Sequence, residues 1–331
     1  MVTLNDIAKK LNISVSIVSR ALNNKYGVKK TTREMVKKAA KEMGYQPNAA
    51  ARSLATKKSA TLGVVSVSMA DYYSTAVING MEFMASKTGY SLLFSNSFEY
   101  HNYQDVLNKM VNSQRVDGLI IIGSNIGQNP MINELLEKET PFVLLERNHA
   151  DPRSNCIWVN NIIGGYTATK YLIDKGHTNI AHISGPLNFQ TAVDRLEGYK
   201  KALLEAGLPF REEFVISMNY IWDGGYKAAK ELLNQHPKFT AIFVANDPMA
   251  YGVLFAAHEA GLSVPGDLAV IGYDDLEFSP IMHPPLTTIR QPRFEMGEKA
   301  VSLLATVLKK QSSGEGTKIH LIPELIERSS V

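Results

Sequence analysis

The feature that most constrains this chain is a change of hydrophobic period near residue 60. Before it, apolar residues recur at three- and four-residue spacing, the repeat of a helix. After it, short apolar runs alternate with longer amphipathic stretches, beginning with Thr61-Leu62-Gly63-Val64-Val65-Ser66-Val67. A chain that changes period once folds as two unlike parts, a small helical head and an α/β body. Charge divides at the same place. Residues 1–60 hold 13 lysines and arginines against 3 carboxylates, a balance of +10; the other 271 residues hold 22 against 29, a balance of −7. The net +3 of the whole chain hides this split. A basic head on a mildly acidic body points to a polyanionic partner for the head alone.

Composition narrows the function classes. Cys156 is the single cysteine, so no internal disulfide forms. With no apolar leader after Met1, the expected compartment is the cytoplasm, in association with the nucleoid. No apolar run approaches the ~20 residues that cross a bilayer, so no membrane partner is expected. The phosphate-cradling G-x-x-x-x-G-K-[ST], the dinucleotide G-x-G-x-x-G and the G-x-S-x-G elbow are absent, and His258-Glu259 lacks the second histidine of a zinc protease helix. The expectation is a protein that is not an enzyme and carries no cofactor.

In the head, Thr3 and Asp6 have the spacing of a capping box, and Leu4, Ile7, Ala8 and Leu11 share one helical face. Asn12-Ile13 is a break. Ser14 is placed to cap a second helix with Val18, Ala21 and Leu22 inward, and Val15, Ser16, Ser19, Arg20 and Asn23 on or beside the other face. After a loop at 24–29, a third helix runs from Lys30 or Thr31 with Met35, Val36, Ala39, Ala40 and Met43 inward, and Gly44 ends it. Three short helices with a tight break match a helix-turn-helix, whose second helix lies in the major groove. There Ser16 can hydrogen-bond a base, Val15 can touch a thymine methyl, and Arg20 can reach guanine or phosphate. Any small three-helix bundle shares the periodicity. Beyond Pro47, Asn48 to Ala55 form a helix too short to persist unless something packs on it. Leu54 is its apolar tip.

In the body, strands are expected near 91–95, 118–122, 142–145, 179–183, 241–245 and 268–272, and helices near 74–88, 103–113, 164–175, 191–206, 224–235, 247–260 and 294–309. This alternation predicts two parallel-sheet layers in tandem with a cleft between them. Ligands of such sheets bind beyond the carboxyl ends of strands. The residues there are Asp71, Tyr72 and Tyr73; Glu146 and Arg147; Asn246 and Asp247; and Asp274 and Asp275. Arg195 lies in a helical turn, and Tyr220 and Trp222 in a polar loop. Carboxylates, an arginine and aromatic faces suit a polyhydroxylated ligand. Taken singly, each aspartate could be a helix cap, Asp247 above all, and each ring could be core. Two alternatives stay open: a sugar-binding receptor, and a glycosidase-like enzyme that pairs Asp247 with Asp274 or Asp275.

The runs Val2 to Ala8 and Ser14 to Asn23, with Thr32-Arg33, Gly44-Tyr45 and Pro47-Asn48, resemble the head of the lac repressor family of bacterial regulators. So do Val116-Asp117-Gly118, Gly176-His177, Gly185, Arg195-Gly198-Tyr199, Asn246-Asp247, Gly272 to Asp275, Pro285 to Ile289 and Gln291 in the body. The resemblance implies an all-α helix-turn-helix head and an α/β periplasmic-binding-protein-like core of two doubly wound subdomains. Its domains are 1–46 for DNA binding, 47–60 for the hinge helix and linker, and 61–331 for effector binding and dimerisation. The chain crosses between the subdomains near 160–163, 289–292 and 320–324. It also implies a homodimer on near-palindromic double-stranded operator DNA and a small-molecule effector, a sugar being preferred. Thr3, Leu4, Ser14, Val15, Ser16, Ser19, Arg20, Asn23, Thr32, Asn48, Ala51 and Leu54 would meet DNA, with Leu54 as a minor-groove wedge. Tyr73, Glu146, Arg147, Arg195, Tyr220, Asn246 and Asp274 would meet the effector. Asn160-Asn161, Glu146 and Asp71-Tyr72 depart from the family's usual Asp-Asn, Asp before Arg, and Asn-Pro, so the pocket wall is this chain's own. The last residues carry no leucine heptad of the kind that makes tetramers.

Overall fold

The computed structural model describes residues 2–45, 58–66, 72–96, 103–123, 130–234, 239–310 and 314–331. The chain divides into two compact units, Met1–Ser59 and Ala60–Val331.

The head consists of α1 (Leu4–Leu11), α2 (Val15–Leu22) and α3 (Lys30–Glu42). Thr3 Oγ1 accepts from the Asp6 amide at 3.4 Å while the Thr3 amide donates to Asp6 Oδ2 at 2.8 Å, so both ends of the capping box are made. Asn12 ends α1 in the left-handed region, φ 50°, which asparagine tolerates. Ser14 Oγ then accepts from the Ile17 amide and starts α2. The core is Ile7, Ala8, Val18, Ala21, Val36, Ala39 and Ala40. Met35, expected inward, is exposed instead. It lies about 100° around the helix from Val36, at the edge of the stripe that α1 and α2 cover.

The body holds two six-stranded sheets. The first half runs β1 (Thr61–Ser66), α4 (Tyr72–Thr88), β2 (Ser91–Asn96), α5 (Tyr103–Leu107) with a wider turn over Asn108–Asn112, β3 (Gly118–Ile122), α6 (Pro130–Glu137), β4 (Phe142–Leu145) and β5 (Asn155–Val159). Next come α7 (Asn161–Asp174), β6 (Ile180–Ser184), α8 (Gln190–Glu205), β7 (Val215–Ser217), α9 (Trp222–Leu233), β8 (Ala241–Val244), α10 (Asp247–Glu259), β9 (Ala269–Asp274) and β10 (Thr287–Arg290). The chain ends with α11 (Arg293–Lys310), β11 (Lys318–Leu321) and β12 (Glu324–Ile326). The first sheet has the order β11-β5-β4-β3-β1-β2 and is parallel throughout. The second has the order β12-β10-β9-β8-β6-β7, and only β12 is antiparallel to its neighbour.

These strands read as unbroken apolar runs because both of their faces are buried. In β3, Ile120 and Ile122 join one core while Leu119 and Ile121 join the core on the opposite face. In β8, Ile242 and Val244 divide from Ala241 and Phe243 in the same way. The backbone passes from one sheet to the other three times: from β5 into α7, from β10 into α11, and from β11 to β12. After the second passage α11 lies tightly on α4. A Cβ on Gly80 would stand 2.0 Å from Phe294 O, and one on Gly297 would stand 2.0 Å from Val77 O, so only glycine permits this approach. Among the described residues no helix is long and apolar enough to cross a membrane.

Candidate functional site

On the head, Val15, Ser16, Arg20 and Asn23 stand exposed along α2, while Val18 and Ala21 on the reverse side are buried. Ser19 is half-buried, and Asn23 Nδ2 donates to its carbonyl at 2.9 Å. Thr3 and Ser14 are spent on caps. Leu4 packs on the head's core and Thr32 is half-buried on α3. Asn48, Ala51 and Leu54 lie outside the described residues. Two exposed apolar side chains were not foreseen, Ile17 and Tyr26, the latter at 101% of its free surface. Ile17 lies three residues before Arg20, so helical spacing could have found it. Tyr26 sits in the α2–α3 loop, where no period exists. That loop is anchored by Arg33 Nη2, which donates to Lys25 O at 2.9 Å.

In the body, the carboxyl ends of both sheets bring a group of side chains together. Tyr73, at the start of α4, lies close enough to Glu146, which follows β4, to feel its charge, and its hydroxyl donates to Met296 Sδ at 3.7 Å. Burial pushes the Tyr73 phenol well above its usual range, and the charges of Glu146 and of Asp274, at the end of β9, push it the same way. Burial likewise raises Tyr220, and Asp274 and Glu146 add to it while Arg195 works against it. One small volume therefore gathers Tyr73 and Glu146 from the first subdomain with Arg195, Tyr220 and Asp274 from the second.

Each member is held from behind. Arg195 on α8 is 5% exposed; its Nε donates to Asn161 Oδ1 at 2.9 Å, its Nη1 donates to Ala245 O, and its Cζ lies 3.8 Å from the centre of the Tyr273 ring. Asp274 Oδ1 accepts from Gln291 Nε2 at 2.7 Å. Asn246 Oδ1 caps α10 through the Met249 amide, and its Nδ2 donates to Tyr220 O at 2.8 Å. Asn246 thus holds Tyr220 in place. The Tyr220 ring covers Gly185, where a Cβ would come within 2.0 Å of Cζ, and Phe189 meets the ring edge-on at 6.3 Å. Arg147 is half-buried, and its charge is felt at His149. Gln291, Asn161 and Tyr273 enter this arrangement through contacts between segments far apart in the chain, which no local pattern announces.

Backbone strain gathers in the same place. Glu146 (φ 70°), Tyr220 (φ 66°), Asp274 (φ 121°) and Asp275 (φ 54°) all lie in the region that favours glycine. Each costs on the order of 1–3 kcal/mol, and such outliers cluster at ligand sites.

The other carboxylates are occupied. Asp247 is not the cap of α10, as the sequence suggested; Asn246 is, and Asp247 is the first helical residue. Its Oδ2 accepts from the Leu276 amide (2.8 Å) and Ser279 Oγ (2.6 Å), and its Oδ1 accepts from Thr288 Oγ1 (2.6 Å). Burial and the Asp274 charge push it up to about 7 against the pull of those donors. Asp275 is clamped between Arg290 Nε (2.7 Å) and Arg328 Nη2 (2.6 Å). Trp222 opens α9 and does not lie in a loop; its ring stacks on Tyr226 at 5.5 Å. His177, just after α7, bonds Thr240 Oγ1 at 2.9 Å. A separate concavity of about 370 Å³ opens in the first subdomain among Leu136, Phe142, Arg153 and Thr306, and no candidate contact lines it.

A helix-turn-helix that exposes a polar helix face, followed by a two-sheet body whose carboxyl ends converge on a cleft, defines a DNA-binding regulator with a ligand-binding core. Comparison with known proteins gives the family. Residues 3–48 match the model for bacterial regulatory proteins of the lacI family, and residues 169–331 match a periplasmic binding protein-like domain. The ribose operon repressor of Escherichia coli strain K12 is 36% identical, with all of both chains covered. Catabolite control protein A of Priestia megaterium is 35% identical over 98% of each chain. Among solved structures, the lac repressor dimer bound to operator and the anti-inducer ONPF superposes with a TM-score of 0.89 at 31% identity, covering 99% of this chain and 98% of that one. A complex of the regulator CelR with cellobiose superposes with a TM-score of 0.77 at 30% identity over the whole of both chains. The chain belongs to the lacI family of bacterial regulatory proteins. It is a DNA-binding transcriptional repressor with an effector-binding core.

Proposed function

We propose that two copies of this chain hold near-palindromic operator DNA, one head on each half-site, and that a neutral sugar in each cleft sets their grip. One observation carries the choice of ligand: Glu146 and Asp274 approach from opposite subdomains around the Tyr73 phenol. Carboxylates accept hydroxyl protons from two directions, and tyrosine faces stack on sugar C–H surfaces. A phosphate would meet two carboxylates, and of the charges felt at the Tyr73 phenol only that of Arg195 is positive. The named ligands of similar proteins support this reading: cellobiose in one solved structure, and ribose bound to a regulator from Enterococcus faecium.

In this reading residues 1–46 bind DNA, 47–60 form the hinge with Leu54 as its minor-groove wedge, and 61–331 bind effector and dimerise. Val15, Ser16 and Arg20 read bases. The work is done in the cytoplasm on the nucleoid, without catalysis, because Asp247 and Asp275 are taken up by structural partners. Tyr73, Glu146, Arg195, Tyr220 and Asp274 touch the sugar, and Asn246 acts through Tyr220.

A thermal-shift screen of the full chain against D-ribose, cellobiose, other neutral sugars, sugar phosphates and purines tests the ligand class. A ligand at ~100 times its Kd stabilises by about 2.7 kcal/mol. Neutral sugars are expected to shift the melting point, and Asp274→Ala is expected to abolish that shift. Shifts confined to phosphates or purines would overturn the sugar reading. A shift that survives Asp274→Ala would remove Asp274 from the contact set.

A further inference from the structure

One guanidinium joins the two walls of the cleft. Arg293 opens α11 directly after the second passage between subdomains and is 9% exposed. Its Nη1 donates to Tyr72 O at 3.1 Å, and its Nη2 donates to Asp275 O at 2.9 Å, with Glu277 Oε1 at 3.8 Å. Tyr72 belongs to α4 in the first subdomain and precedes Tyr73. Asp275 belongs to the second subdomain and follows Asp274. Arg293 therefore holds the backbone beside two candidate effector contacts that face each other across the cleft.

Both targets are fixed in their own subdomains. The close α4–α11 contact through Gly80 and Gly297 makes Tyr72 and Arg293 parts of one rigid body. On the other side, Arg290 and Arg328 pin the Asp275 carboxylate, and its amide lies 3.4 Å from Thr288 Oγ1. A bond between two rigid bodies, placed at the chain's crossing point, is where hinge closure makes or breaks a contact. Beside it, the Tyr72 and Phe278 rings meet edge-on at 5.0 Å, also across the subdomains. The planar fork of arginine presents two fixed N–H directions to two carbonyls, which a lysine ammonium does not reproduce.

We propose that Arg293 is a latch that fixes the angle between the two subdomains and so sets the width of the cleft. Arg293 is a positioning residue: it acts on Tyr73 and Asp274 through their neighbours' carbonyls. The regulatory consequence rests on the reading of the cleft as the effector site, but the latch itself does not. Effector binding would remake or release the Arg293–Asp275 bond, and the resulting change of angle would be what the ligand imposes on the rest of the chain.

The test is a spin-label distance measurement on the full chain without effector. Labels are placed at Glu137→Cys on α6 and Leu204→Cys on α8, both exposed and one in each subdomain. The native Cys156 is fully buried. Labelled chains are diluted into unlabelled ones so that each assembly carries a single pair. The native latch is expected to give one narrow distance distribution, and Arg293→Ala to broaden or displace it. Arg293→Lys is expected to do the same while keeping the charge, and it decides the matter should the alanine variant melt early. Lys227→Ala removes an ion pair with Asp223 that lies wholly within α9 of the second subdomain, away from Asp275, and is expected to keep the native distribution. Native distributions in both Arg293 variants would overturn the latch. A displaced distribution in a chain that binds none of the screened sugars would uphold the latch and sink the sugar reading, so the two fail separately.

Discussion

The face of α2 and the cleft of the body are both built for binding, by opposite means. On α2 the candidate contacts stand in water on an unstrained helix, and the helical repeat alone places them together. In the cleft, Arg195 and Asp274 are buried, four residues have positive φ, and the phenols of Tyr73 and Tyr220 are displaced upward by burial and neighbouring charge. The head needs no special conformation because the duplex supplies the groove and the counter-charge. The body must exclude water from a small ligand and so holds its contacts rigidly from behind. The comparison teaches that one chain can carry a solvent-facing surface for a polyanion and an enclosed site for a small molecule, because each is stabilised by different forces.

Acid is expected to separate the two regions by the largest margin. His182 in β6 is fully buried, stacked between Phe243 at 4.6 Å and Tyr199 at 5.2 Å, with Nδ1 2.9 Å from Phe243 O. Burial lowers it from 6.5 to about 4. Its folded pKa lies below its unfolded one, so the unfolded chain takes up the proton first. The stability concerned is complete above pH 6.5 and is lost as pH falls toward 4, about 3 kcal/mol in all. Asp247 runs the other way: its raised folded pKa gives stability that is present at low pH and lost as pH rises through about 7. The difference between the native chain and His182→Phe isolates the histidine. Melting of the body followed from pH 7 to 4 should show the native chain losing ground to the variant. Parallel curves would mean that His182 titrates as it does in the unfolded chain. Residues 1–60 contain no histidine, so the head is expected to ignore this window.

A smaller effect tests the exposed side of the comparison. Arg20→Ala is expected to weaken binding to an operator selected from random DNA by roughly tenfold, within the 1–3 kcal/mol of a base-reading arginine. If Arg20 instead contacts phosphate, the loss will be equal on all sequences and the salt slope will fall by about one. Either result leaves α2 as the reading face. Unchanged affinity on both kinds of DNA would remove Arg20 from it.

The two regions were unequally legible in the sequence. The three head helices and their caps followed from spacing and cap chemistry, because those interactions are local. Only Met35, at the margin of a stripe, came out on the wrong side. In the body, the long strands and helices were readable because buried parallel strands are continuous apolar runs. Outside the expected set lay α6, β5, β7, β10, β11 and β12; of these β7, β10, β11 and β12 have only three or four residues of mixed polarity, too few for a period to show. The roles of Arg195, Tyr220 and Asp274 came from family resemblance, and their support by Asn161, Gly185 and Gln291 depends on contacts between segments far apart in the chain. The assignment of Asp247 as a cap failed for a related reason: two adjacent polar residues before a helix compete for one position. Asn246 took it, leaving Asp247 to bind Leu276, Ser279 and Thr288.

The smallest effect sharpens the comparison most, because it separates folding of the reading helix from reading itself. Ser14 Oγ accepts from the Ile17 amide at 3.3 Å, and among the described residues it is the side chain that caps the N-terminus of α2. Ser14→Ala removes that acceptor and is expected to cost about 1 kcal/mol of head stability. Ser14→Asp restores the acceptor and adds a negative charge at the positive end of the helix, so it should recover stability. Facing a phosphate backbone, however, the same charge should weaken DNA binding. A head melted by the alanine variant and rescued by the aspartate variant, with DNA affinity moving in the opposite order, would show that Ser14 caps the helix and lies near phosphate at once. DNA affinity that follows stability in both variants would leave Ser14 a cap alone.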